Sequence, residues 1–228
     1  MTKARRFHGK WVALALAALL LTAGWATGRL AVHPLEIVGV VSGIACTLLM
    51  IEQSILNFPA GIINILASAV LYFLAKLYGN MGLQLFYAAF GVVGWVHWAR
   101  QGGEEPLRIT RTRAWEWLLL PALGLPAIWL LTLFLRHTGS AAPFLDALTT
   151  VLALSAQYLL NRKRLEHWLV GLVLVVFSGI MCAGQGLWLY AALFGFFFVT
   201  CILGFRAWLH AFREQDAPAP VLALPLES

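Results

Sequence analysis

The side chains best placed to do chemistry in this sequence are neutral. Asn57, Gly61 and Asn64 stand at i, i+4 and i+7, a spacing that puts them on one face of a helix. Gln84, Tyr87, Gly91, Trp95 and Trp98 follow a similar period, and Asp146, Thr150, Ala153 and Gln157 repeat the pattern. Carboxamides both donate and accept hydrogen bonds, and aromatic rings beside them can stack. Such residues inside apolar segments can hold helices to one another, or hold a small ligand between them. Three stripes with aromatics suit an uncharged or weakly cationic heteroaromatic molecule. The candidate contacts are Asn57, Asn64, Gln84, Tyr87, Trp95 and Gln157. Trp188, which takes the place of Gln84 in the repeat described below, joins them.

Reactive chemistry is not encoded. The sequence has no GxxxxGK[ST] loop, no HExxH and no zinc-spaced Cys/His set. No catalytic residue, metal or cofactor is therefore expected, and the chain does not read as an enzyme. Cys46, Cys182 and Cys201 lie in apolar runs and read as small core residues. His97 and His167 adjoin charged ends, which disfavours haem ligation. Ionisable groups such as Glu52, Glu116, Asp146 and Glu166 also fall at the ends of apolar runs. A proton-coupled pump places such a group mid-membrane, so passive movement is favoured.

The elements that must carry these stripes follow from composition. Of 228 residues, 61% are apolar and 11% charged, whereas a soluble domain has about 45–50% and about 25%. Mean hydropathy is +0.81. This is a polytopic membrane protein, and a disordered chain, a soluble α/β enzyme and a disulfide-stapled domain are excluded. The charge-free runs are Trp11–Gly28, Ile37–Ile51, Gln53–Ala75, Leu77–Ala99, Trp117–Leu135, Ala147–Asn161 and His167–Phe205. The last is too long for one crossing and divides at Ala183-Gly184-Gln185-Gly186. Eight transmembrane helices result, since runs of this length exclude barrel strands. The first run reads as a retained helix rather than a cleaved leader.

With the N-terminus inside, only Arg29, Lys76 and Arg136 fall outside, leaving 13 of the 16 Lys and Arg residues on the cytoplasmic side. Both termini are then cytoplasmic. The net charge of +6 has this explanation, so the partners expected are the lipid bilayer and a small molecule, not nucleic acid. Trp11, Trp98, Trp115, Trp117, Trp168 and Trp208 lie near run ends, where an interfacial belt is expected.

A shift of 110 residues lays one half on the other. Leu35-Glu36 meets Leu145-Asp146, Gly61 meets Gly171, and Gly94 and Trp98 meet Gly204 and Trp208; with a gap in the turn, Gly82-Leu83-Gln84-Leu85 also meets Gly186-Leu187-Trp188-Leu189. Three helices, a linker and three helices put both triplets in one orientation, an architecture of transporters with a site between the halves. The expected divisions are 1–34 (N-terminal tail and extra helix), 35–100 (first triplet), 101–143 (loop and linker helix), 144–212 (second triplet) and 213–228 (disordered cytoplasmic tail).

Glu52-x4-Asn57-Phe58-Pro59-x-Gly61-Ile62-x-Asn64, Leu83-Gln84-x2-Tyr87 and Gly94-Trp95-x2-Trp98 resemble the first half of the PnuC family of nicotinamide riboside transporters. Asp146, Ala156-Gln157, Arg162-Lys163-x2-Glu166-x-Trp168, Gly186 and Gly204-x3-Trp208 continue the resemblance to about Phe212. It implies an all-α, SWEET-like three-one-three fold in a bacterial inner membrane, moving nicotinamide riboside by facilitated diffusion. It also implies a cytoplasmic kinase that traps the riboside, in the service of NAD biosynthesis, and allows a homo-oligomer. The sequence departs from the family's Trp-x3-Asn at Gly171 and Val175, which makes one wall apolar. Thiamine and riboflavin carriers of the same family are the alternative, and a non-transporting membrane anchor or binding subunit is the rival of another class.

Overall fold

The computed structural model describes residues 2–29, 33–74, 78–101, 108–138, 142–184 and 188–215. These form helices α1 (Thr2–Ala26), α2 (Pro34–Ile51), α3 (Asn57–Leu74), α4 (Tyr78–Gln101), α5 (Ala114–His137), α6 (Pro143–Asn161), α7 (His167–Gly184) and α8 (Trp188–Gln215). The long apolar run thus divides where its glycines stand. Residues 216–228, and with them most of the expected tail, lie outside the described residues.

Local chemistry sets several of these ends. Proline, with no N–H to leave unpaired, occupies the first position of α2 and of α6. Before α2, His33 Nδ1 accepts from the Leu35 amide while Glu36 Oε1 accepts from that of His33. Between α2 and α3 the chain turns through Gln53 at φ 58°, and between α6 and α7 through Lys163 at φ 52°. Both are left-handed residues that are not glycine, and they stand 110 positions apart. Their surroundings match as well: the Ser54 amide donates to Leu49 O at 2.9 Å, and the Arg164 amide to Leu159 O at 2.9 Å.

The protein is an α-helical, multi-pass membrane protein. By length and composition α2, α5, α6 and Phe194–Gln215 of α8 are long and apolar enough to cross a bilayer, with shorter apolar stretches in α1, α3 and α7. On α5, Leu118 is 75% exposed and Trp129 63%, as side chains facing lipid would be. Among the described residues α5 packs on α6 alone, whereas α4 meets α6 and α2 meets α8.

One expectation is corrected here. Trp98, Trp168 and Trp208 are not in an interfacial belt: with Phe58 they form a buried cluster, and Trp208 is wholly enclosed. Proximity to charge suggested the belt, but glycines on the facing helices let the rings sink between helices. Gly204 lies so close against the six-membered ring of Trp168 that a Cβ would overlap it, and Gly94 lies likewise against Phe58 and Asn161. Trp115 and Trp117 are exposed, as a belt requires.

A short segment before α5 closes this end of the bundle. Thr110 pairs with Arg164 as an isolated parallel bridge. The Thr112 amide and hydroxyl both donate to Glu166 Oε2 at 2.8 Å. Glu116, fully buried, takes Arg164 Nη2 at 3.1 Å and Arg162 Nη1 at 3.5 Å.

Candidate functional site

Six helices, α2, α3, α4, α6, α7 and α8, enclose a cavity of about 380 Å³, within the range of small-molecule sites. Part of its wall is built from residues 110 positions apart: Thr47 with Gln157, Met50 with Leu160, Asn64 with Leu174, Ile65 with Val175, and Tyr87 with Phe197. The chemistry of these pairs is unequal. Asn64 and Tyr87 have apolar counterparts, so at these two positions α3 and α4 are polar where α7 and α8 are apolar. Among the described residues lining the cavity, none is Asp, Glu, Lys or Arg.

The amides divide their duties. Asn64 Nδ2 donates to the Gly39 carbonyl of α2 at 2.6 Å. Gly43 permits that approach, since a Cβ there would stand 3.0 Å from the same nitrogen. Helix adhesion thus uses the Asn64 amino group, and its Oδ1 remains to accept. Gln157 Nε2 donates to Asn161 Oδ1 at 2.9 Å, and Asn161 Nδ2 in turn holds the Phe90 carbonyl of α4 at 2.9 Å. This leaves Gln157 Oε1 as an acceptor. Gln84 and Tyr87 line the same cavity from α4.

Of the residues singled out by sequence, Asn64, Gln84, Tyr87 and Gln157 are thus brought together. Asn57 is not: buried at the start of α3, it donates to Ser54 O at 2.7 Å and closes the turn. Trp95 is 39% exposed and outside the cavity wall. Beyond Gly91 the buried face of α4 runs through Gly94 and Trp98, because Gly94 is where α4 touches Asn161 of α6. The Trp188 side chain lies outside the described residues, as does that of Cys182. Sequence reasoning missed Thr47, His167, Trp168, Thr200 and Cys201 as wall residues. The 110-residue shift could have found Thr47 as the counterpart of Gln157; His167 and Trp168 were masked by the charges beside them.

The match to known proteins spans nearly the whole bundle. Residues 33–210 fit the family model described as nicotinamide mononucleotide transporter. The chain belongs to that family. The chain is similar to the nicotinamide riboside transporter PnuC of Escherichia coli (strain K12), at 27% identity over 214 residues that cover 81% of this chain and 89% of the relative. The PnuC nicotinamide riboside transporter of Neisseria mucosa is 28% identical over 184 residues, covering 76% of this chain and 70% of the relative. In fold, a crystal structure of the vitamin B3 transporter PnuC matches with a TM-score of 0.67 at 23% identity, covering 90% of this chain and 88% of that one.

Proposed function

We propose that this family member is a uniporter for nicotinamide riboside rather than for the mononucleotide of the family's name. The observation that carries this is the uncharged wall of the cavity. A phosphate dianion held there would find no Lys or Arg among the described lining residues to pair with, and an unpaired buried charge is strongly disfavoured. A riboside offers hydroxyl donors to the Asn64 and Gln157 oxygens and to Tyr87, and its single ring charge is delocalised. The names of the relatives support the same substrate.

The architecture that fits is three-one-three: α2–α4 and α6–α8 as parallel repeats about an axis along the membrane normal, α5 as linker and α1 outside. Support comes from the matched turns at Gln53 and Lys163 and from the paired cavity wall. The excess of basic residues at the Lys163 end makes that end, and both termini, cytoplasmic. A reporter fused after Ser228 and active only outside the inner membrane would overturn this orientation. The two triplets alternate in exposing the cavity, and a cytoplasmic kinase retains the riboside by phosphorylating it.

Purified protein in proteoliposomes tests the function. Labelled nicotinamide riboside equilibrates across the membrane with neither ATP nor an ion gradient. Surface binding without internal accumulation identifies an anchor or binding subunit instead. A second reading, a different vitamin of similar size, draws on Gly171 and Val175, which line the cavity on α7. Gly171→Trp with Val175→Asn discriminates: a gain in riboside affinity points to another native vitamin, and a loss supports the riboside.

A further inference from the structure

His167 and Trp168, at the start of α7, both line the cavity and are 4% and 3% exposed. His167 Nε2 and Trp168 Nε1 are buried and have no hydrogen-bond partner. Native proteins leave few buried polar atoms in that condition, so two on adjacent rings call for a cause. The rings are fixed by packing instead. Their centroids lie 4.5 Å apart, Trp208 lies tilted 4.6 Å from His167 and edge-on 5.9 Å from Trp168, and Gly204 receives the six-membered ring of Trp168.

The polarity of each nitrogen follows from its surroundings. His167 Nδ1 lies 2.8 Å from the Arg164 carbonyl. A carbonyl only accepts, so Nδ1 carries the ring proton and Nε2 keeps its lone pair. An indole Nε1 only donates. Neighbouring residues of the cavity wall thus hold one unsatisfied acceptor and one unsatisfied donor just beneath its surface.

We propose that His167 Nε2 and Trp168 Nε1 together read an amide-like edge of the transported molecule, an N–H beside a C=O. A carboxamide or a ring imide satisfies both nitrogens. A carboxylate has acceptors only, so it satisfies Trp168 and sets lone pair against lone pair at His167. Resting on the transport reading above, this makes the two residues specificity determinants for the amide over the acid form of a vitamin. A water bound to both nitrogens is the competing occupant.

Equilibrium binding to purified protein tests this with two pairs of probes. The first pair is nicotinamide riboside and nicotinic acid riboside, and the second is riboflavin and N3-methylriboflavin, which lacks the imide N–H. Native protein prefers the amide-bearing member of the pair it binds by about tenfold or more, as loss of a buried hydrogen bond predicts. In His167→Phe, which keeps a ring but has no acceptor, the ratio collapses towards one. Should that variant fail to fold, histidine-selective 15N NMR of native protein reads the same contact, as saturating ligand shifts the unprotonated Nε2 resonance. An unchanged ratio in the variant, or an unmoved resonance, overturns the proposal and leaves water as the occupant. If both nicotinic ribosides fail to bind while riboflavin does, the riboside reading fails and the flavin pair decides the role of His167. Binding of none of the four overturns both.

Discussion

Trp98 donates its indole N–H to the carbonyls of Leu160 and Asn161, at 3.3 and 3.2 Å, and Trp208 donates its own to Met50 at 3.0 Å. Trp208 follows Trp98 by 110 positions, and Leu160 follows Met50 by 110, so the two bonds are reciprocal across the bundle. Trp98 thereby ties α4 to α6, and Trp208 ties α8 to α2. Loss of a buried donor costs about 1–3 kcal/mol, so Trp98→Phe and Trp208→Phe should each lower the melting temperature by similar amounts. Thermal unfolding of the two single variants and the double variant checks this. A change in one variant alone would contradict the reciprocity.

The cavity amides separate adhesion from ligand binding. Gln84→Leu removes a group with no helix to hold, so affinity should fall roughly 5–150-fold at an unchanged melting temperature, from about 1–3 kcal/mol of lost hydrogen bonding. Asn64→Leu also cuts the bond to Gly39, and Gln157→Leu cuts that to Asn161, so both should lose affinity and stability together. Full riboside affinity in all three would remove the cavity from the transport path.

Much of this architecture was legible in advance because lipid imposes a simple rule: charge-free runs of the right length must be helices. The α7–α8 division and the convergence of Asn64, Gln84, Tyr87 and Gln157 both follow from period and composition. What periodicity could not supply was the point of closest approach between helices. The Gln84–Tyr87–Gly91 stripe runs on to both Trp95 and Trp98, but with Gly94 against Asn161 only Trp98 is buried and Trp95 is left exposed. Asn57 shares the spacing of Asn64 but stands at the N-terminus of α3, and only the Ser54 turn tells that position from a helix interior.

Glu116, in the first turn of α5, is the carboxylate that meets both Arg162 and Arg164, by the ion pairs described. Glu116→Gln leaves the buried Arg164 guanidinium without its counter-charge. Breaking one partner of a buried pair costs about 3–5 kcal/mol, so this variant should melt far below the native protein. Arg162→Gln, at the exposed end of the same carboxylate, should cost about 1 kcal/mol or less.

Lys163 gives stability a pH dependence. Its Nζ lies 5.0 Å over the Trp98 ring, and burial lowers its pKa from 10.5 to about 8. Between those values the unfolded chain binds more protons than the folded one, so stability rises with pH across that window and is flat below it. Melting temperatures measured from neutral pH to above 10.5 should show that rise, and Lys163→Met should abolish it.

The strap before α5 has a mechanical consequence. The Thr110 amide donates to Lys163 O at 3.1 Å, and the Leu165 amide returns to Thr110 O at 2.9 Å. A segment that precedes α5 is thereby bolted to the α6–α7 turn, and α5 itself rests on α6. Chain order makes α5 a bridge between two groups of helices, but its bonds make it cargo of the second group. Any movement of α6 and α7 against α2–α4 would therefore carry the strap and α5 along with it.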